Sequence, residues 1–401
     1  MFKKRHQIFL LFFSMSLCCI GMFIFYPYFV AEITGCSGIS DQDVSVIMLS
    51  ALFVGNILAF LFTNFRVSGS LSKDFIYTVS FLTLSMVMLF FSPFVKSASV
   101  LLVVGGLTVY RAGIGSYFAV SRMIGLDCWH ENRPREELFA WFKTINSTSS
   151  ALGAYLGSVI IDSRGFGTAM VISSVFFLAA ISVIYLNSTV RAVHENEAKP
   201  VVKKPLFTLT APTFWFSFAG ACHFVFEAQI YTLIVLSVKK NFLEYTGVVR
   251  NIFILNSLLL IVFSVPILNF MSKIRNKLVP YIFGTCCSAA AVIMMPLVGS
   301  DIGLVMGLIL VFTVGEIIAP QILISEVTDC DEGQFRSGIS VFNIATKAIG
   351  MSVGSYIGIY IYNQHNVNMS TMVWLVILLM SVGGFCYGIR IRSSKISEHV
   401  A

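Results

Sequence analysis

Charge is scarce in this chain. Only 12% of its 401 residues are Asp, Glu, Lys or Arg, where a soluble domain carries about 25%. A water-soluble globule of this length could not cover a composition that is 57% hydrophobic with so few charges. A bilayer lifts that requirement, because lipid solvates the outer apolar surface. Catalytic patterning is missing too. The sequence has no glycine-rich phosphate loop, no Cys/His metal spacing and no nucleophile elbow, so neither an enzyme nor a self-contained ATP-driven pump is expected. Of nine cysteines, Cys18, Cys19, Cys222, Cys286, Cys287 and Cys386 lie inside apolar runs, Cys128 and Cys330 in expected cytoplasmic loops, and Cys36 outside. That distribution predicts no disulfide and no metal site. No small-residue cleavage site follows the basic start Lys3-Lys4-Arg5, and Cys18 and Cys19 lack the small residue that lipoprotein processing needs. The first apolar run is therefore expected to be a membrane helix.

What is abundant is apolar. Phe occurs 37 times, which suits lipid-facing helix surfaces. A bilayer-crossing helix needs about 20 mostly apolar residues. The runs predict twelve, over 8–33, 43–65, 75–95, 98–124, 137–162, 167–189, 208–236, 247–270, 278–298, 302–327, 337–362 and 370–391. The net charge of +7 does not point to nucleic acid, because the basic residues fall in short clusters between these runs and not along one face. Their placement orients the chain instead. With the N-terminus in the cytoplasm, eighteen Lys and Arg fall on the inside, against Lys96, Arg164, Lys239 and Lys240 outside. Both termini are thus expected in the cytoplasm.

The chain also repeats itself. Gly153-Ala154-Tyr155-Leu156-Gly157 returns as Gly354-Ser355-Tyr356-Ile357-Gly358, 201 residues on. The same offset pairs Ser149 with Gly350 and Arg135 with Arg336. Both copies fall in a span that follows a charged cytoplasmic loop, the fifth and the eleventh. The expected architecture is all-α: twelve transmembrane helices in two pseudo-symmetric six-helix bundles, 1–190 and 207–401, joined by a cytoplasmic linker at 191–206. Parallel repeats of this kind place a substrate site at the interface of the halves, near the bilayer midplane. The small residues spaced by four would let the fifth and eleventh spans approach their neighbours closely.

These features resemble the major facilitator superfamily, and within it the drug/proton antiporter branch. Arg111-Ala112-Gly113-Ile114-Gly115 in the fourth span is similar to that branch's Arg-x-x-Gln-Gly signature, with Ile114 in place of Gln. Ser149 to Ser158 is similar to its glycine-rich antiporter signature, matched at Gly153 and Gly157. The resemblance implies a proton-coupling role for Arg111, and a central cavity lined by the first, fourth, seventh and tenth spans.

Charged residues deep in a membrane helix are expensive, and so mark function by default. Arg111 lies near the middle of the fourth span and would hold a carboxylate or an anionic substrate. Glu227 in the seventh span has His223 and Tyr231 four residues to either side, which on a regular helix puts all three on one face. A carboxylate beside an imidazole can take up and release a proton. Glu316 in the tenth span follows Gly315 and precedes Pro320, residues that interrupt helix regularity where backbone lines a cavity. Lys347 occupies the position in the eleventh span that Asn146 holds in the fifth, and a structural pairing with Glu326 is expected. Gly153, Gly157, Gly354 and Gly358 are structural or gating candidates. Tyr26, Tyr28, Tyr110 and Tyr117 are candidates to line the cavity.

The functional expectation is a secondary-active carrier in the inner (plasma) membrane, working as a monomer without a cofactor and driven by the proton gradient. It would export a small amphipathic compound such as a drug or natural product. The alternative is proton-coupled import of a nutrient or small anionic metabolite.

Overall fold

Without water in the hydrocarbon layer, each backbone amide needs a partner inside its own segment, and the α-helix supplies one at every residue. A computed structural model describes residues 2–34, 41–65, 71–93, 99–128, 135–186, 211–329, 342, 345–363 and 369–400, and they are helical almost throughout, with no strand among them. The first six spans are α1 (Phe2–Ile33), α2 (Asp41–Phe65), α3 (Leu71–Phe91), α4 (Ser99–Cys128), α5 (Arg135–Arg164) and α6 (Phe166–Leu186). The seventh span is broken into α7 (Ala211–Glu227), a 3-10 turn (Ala228–Tyr231) and α8 (Leu233–Asn241). The eighth, ninth and tenth are α9 (Tyr245–Ser272), α10 (Leu278–Met294) and α11 (Ile302–Asp329). The eleventh opens as a π-helix (Ala345–Met351) and continues as α12 (Ser352–Asn363), and the twelfth is α13 (Met369–Val400). The proposed linker at 191–206, Cys36, Cys330 and Arg336 lie outside the described residues.

Among the described residues, ten helices are long and apolar enough to cross a membrane. The fifth and eleventh spans, which carry the internal repeat, are the two that do not qualify. In α5 the polar run Thr144 to Ser150 lowers hydropathy, but 30 residues at 1.5 Å each still cover about 45 Å. Polar residues inside the apolar spans are accommodated by their own helices. Ser and Thr hydroxyls bond back one turn, as in Thr78 to Phe75 O (2.8 Å), Ser116 to Ala112 O (2.7 Å) and Thr313 to Ile309 O (2.7 Å). Such bonds satisfy the hydroxyl proton within the helix itself.

The chain divides into two compact units: Met1–Glu32 with Ser50–Lys204 and Val249–Ile261, and Ile33–Leu49 with Pro205–Val248 and Val262–Ala401. In the first unit α3 packs on α4 and α6, and α5 on α4 and α6. In the second, α10 packs on α11, and α7 on the π-helical segment, α11 and α13.

The repeated glycines sit where helices touch. In the first unit, α5 lies against α1. Ser149 Oγ meets Ser16 Oγ at 2.9 Å, a Cβ on Gly153 would stand 2.7 Å from Ile20 O, and one on Gly157 would strike Ile24 O. In the second unit, the eleventh span lies against the seventh. A Cβ on Gly350 or Gly354 would come within 2.5 Å of Ala221 O or Val225 O, and one on Gly358 would strike the Gln229 side chain. The two ladders bring backbones together in corresponding ways, and a side chain at any of these positions would separate them.

Candidate functional site

Arg111 is the thirteenth residue of α4, roughly 20 Å along it at 1.5 Å per residue. It is only 5% exposed. Room for its stem comes from Gly55 on α2, where a Cβ would lie 2.7 Å from Arg111 Cβ and 2.6 Å from Thr108 O. The guanidinium carbon stands 5.4 Å from the centre of the Tyr26 ring of α1. A desolvated cation over an aromatic face gains about 2 kcal/mol. Tyr26 is itself held by Tyr110, the residue before Arg111, with ring centres 5.7 Å apart. One turn along α4, Gly115 packs on Ala59 of α2, beside Asn56. Arg111 thus belongs to a junction of α1, α2 and α4, built from one cation, two aromatic rings and the glycines that admit it.

The other tyrosines correct an expectation. Tyr28, Tyr110 and Tyr117 are fully buried, and their hydroxyls donate to Ala154 O (2.6 Å), Met22 O (3.5 Å) and Met15 O (3.2 Å). They tie α1 to α4 and α5. A buried phenol finds its partner in helix backbone, and that uses the polar end which a cavity-lining role would need free.

The second unit holds the remaining candidates. His223 and Glu227 lie one turn apart on α7, His223 fully buried and Glu227 half-buried. His223 Nδ1 is 3.4 Å from Thr285 Oγ1 of α10, and that hydroxyl donates to Tyr281 O at 2.9 Å. A hydroxyl has one proton, so with that proton on Tyr281 O the tautomer assigned to His223 is the one in which Nδ1–H donates to Thr285. The lone pair of Nε2 then has no hydrogen-bond partner among the described residues.

Tyr231 does not continue the face of His223 and Glu227. The α-helix ends at Glu227, and Ala228–Tyr231 winds as a 3-10 turn. At 3.0 instead of 3.6 residues per turn, four residues rotate the rest of the span by about 80°. The expected three-residue face is therefore a two-residue one. Glu316 is half-buried on α11. Its neighbour Gly315 is pressed against Ser288, where a Cβ would lie 2.8 Å from Ser288 N, so α10 and α11 approach closely there. Lys347 falls in the π-helical opening of the eleventh span and Glu326 near the end of α11, both half-buried.

Buried amides escaped the sequence reading, two of them beside the candidate residues. Gln229 lies at the break of the seventh span, 3% exposed, and Asn56 lies beside the Arg111 junction, 6% exposed. An amide inside an apolar run was the available signal, since such a group demands partners in a membrane. Arg250 near the start of α9 stands 5.7 Å from the Tyr155 ring of α5. Among the described residues no His, Cys, Asp or Glu cluster could hold a metal ion, and Cys18, Cys19, Cys222, Cys286, Cys287 and Cys386 are free thiols.

Comparison with known proteins agrees with this architecture. No curated protein matches the chain. Solved structures do: an auto-inhibited peptide transporter of the POT family superposes with a TM-score of 0.72 at 12% identity, covering 96% of this chain and 97% of that one. A POT family transporter in complex with 5-aminolevulinic acid superposes at 0.66 and 12% identity, covering 98% and 96%. At such identity the likeness concerns the fold. The family model of the Major Facilitator Superfamily matches residues 8–355, and the chain, a secondary transporter of twelve spans, belongs to that family.

Proposed function

We propose that this transporter is a proton-coupled exporter, exchanging protons for a small amphipathic compound by alternating access. The observation that carries the reading is the seventh span. His223 offers a buried Nε2 lone pair without a partner among the described residues, and Glu227 stands one turn further on the same helix. A neutral imidazole next to a carboxyl group is suited to taking up and releasing a proton, and Glu316 on α11 is a further acidic candidate. The outward direction rests on the likeness of Arg111 to Gly115 and of Ser149 to Ser158 to the signatures of drug/proton antiporters. In this reading the halves 1–190 and 207–401 are joined by a cytoplasmic linker at 191–206. The protein works as a monomer in the inner membrane with both termini inside, and needs no cofactor besides the proton gradient.

A second reading, proton-coupled uptake of a small anionic metabolite, is favoured by the buried Arg111. It is also favoured by the occurrence of 5-aminolevulinic acid, which carries a carboxylate, in a structure of similar fold.

Proteoliposomes separate the two. An imposed pH gradient should drive a lipophilic dye against the proton flow, and 5-aminolevulinic acid should not accumulate with it; the reverse result selects uptake. His223→Gln and Glu227→Gln should abolish gradient-driven movement and leave counterflow exchange largely intact, because exchange needs no net proton release. Uphill transport at wild-type rate in both variants removes proton coupling from this span.

A further inference from the structure

We propose that Gln229 is a positioning residue for the seventh span: its side-chain amide holds the span in its broken form and so fixes where the chain stands beyond Glu227. The functional consequence follows from where the chain beyond Glu227 stands, and does not depend on the reading of His223 and Glu227 as the proton-binding pair. The break itself is a matter of backbone bonding. In an uninterrupted α-helix the N–H of Thr232 would bond to Ala228 O. Here it bonds to Gln229 O at 3.2 Å, and Ala228 O lies 3.1 Å from the Thr232 hydroxyl. Within α7, Val225 O accepts from Gln229 Nε2 at 2.7 Å. The same amide nitrogen donates its second proton to Gly354 O of the eleventh span, at 2.8 Å. Its oxygen lies 3.2 Å from the Thr232 hydroxyl. Both ends of the amide are thus engaged in a nearly sealed position.

The eleventh span is shaped to receive it. Gly358 leaves the space that the amide fills, and a Cβ there would strike Gln229 Oε1 and lie 2.6 Å from Thr232 Oγ1. The first half supplies the control. Tyr28, 201 residues before Gln229, stands against Gly157, where a Cβ would lie 2.9 Å from its ring, so a phenol takes the place of the amide, and α1 runs unbroken to Ile33. The half with the amide is the half with the break. Beyond the break, α8 reaches Lys239, whose ammonium donates to Thr34 O at 2.9 Å. The amide therefore sets the direction of an arm that is tied down at its far end.

Gln229→Met keeps the shape and removes the donors, and Gly358→Ala displaces the amide from the other side. Each should insert and fold, and each should lower the maximal rate of counterflow exchange in proteoliposomes roughly tenfold, the scale of one buried hydrogen bond, with KM nearly unchanged. The double variant should be no slower than either single one, because both act on one contact. Wild-type exchange in Gln229→Met, or losses that multiply to roughly a hundredfold in the double variant, overturns the proposal. If Gln229→Met does not insert, Gln229→Asn carries the same test, being one methylene too short to bridge both carbonyls. Counterflow needs no net proton movement, so this result stands apart from the proton reading. That reading fails separately if Glu227→Gln still drives uphill transport.

Discussion

In the first half, Ser149, Gly153 and Gly157 of α5 face Ser16, Ile20 and Ile24 of α1. In the second half, Gly350, Gly354 and Gly358 of the eleventh span face Ala221, Val225 and Gln229 of the seventh. The small residues and their spacing are shared, and the residue opposite the third rung is not. In the first half the side chain at that rung is the Tyr28 ring, with a single hydroxyl, and α1 stays helical across Pro27. Gln229 brings two donors and an acceptor that the membrane interior obliges to find partners, and it finds them in backbone carbonyls on two spans. Close approach of helices thus tolerates both a continuous and a broken partner, and one side chain distinguishes them. The tether also differs. In the first half a phenol donates across, Tyr28 to Ala154 O; in the second an amide does so, to Gly354 O.

The two halves differ in charge as well: the first buries Arg111 and Asp74, and the second holds the half-buried acids Glu227 and Glu316. The sharpest way to break this comparison is at Arg111. Arg111→Ala should insert and fold yet transport at less than about a tenth of the wild-type rate. Arg111→Lys should recover little, because a point charge lacks the planar guanidinium that stacks on Tyr26. Near-normal rates for Arg111→Ala in proteoliposomes would make the residue structural. Next in size are the shared rungs. Gly153→Val and Gly354→Val should each destabilise the protein by about 3 kcal/mol, read from thermal unfolding in detergent. A loss confined to one of them would show that the halves are packed on different principles. The smallest effect belongs to the tether of the first half. Tyr28→Phe should cost about 1 kcal/mol of stability and leave transport intact, in contrast to Gln229→Met.

Orientation extends the comparison to the loops. A reporter active only in the cytoplasm should work near Glu197 and after Ala401, and one active only outside should work near Gly38. The charge bias of eighteen to four predicts both. An outside position for Glu197 would undo the span count.

Much of the candidate site was legible in the chain. Arg111, His223, Glu227 and Glu316 stood out because a polar group in an apolar run is costly and so has a reason to be there. The glycine ladder was legible because a repeat is a comparison of the chain with itself. Other features were not. Tyr231 was placed on the face of Glu227 by assuming 3.6 residues per turn, and the 3-10 turn that moves it holds Gln229, which bonds to one carbonyl of a span 125 residues away. The buried tyrosines read as cavity-lining because an aromatic in a membrane helix looks the same in sequence whether its hydroxyl meets substrate or backbone.

By itself the sequence determined the all-helical membrane architecture, the internal repeat and which charges fall inside apolar runs, since all of these follow from hydropathy summed along a helix and from self-similarity. Only the tertiary structure decided which helix is broken and what stands beside each buried charge. Those outcomes depend on which backbone carbonyls and rings lie within about 3 to 5 Å of a side chain, and residues that meet at that range are brought there by packing between spans, not by their order in the chain.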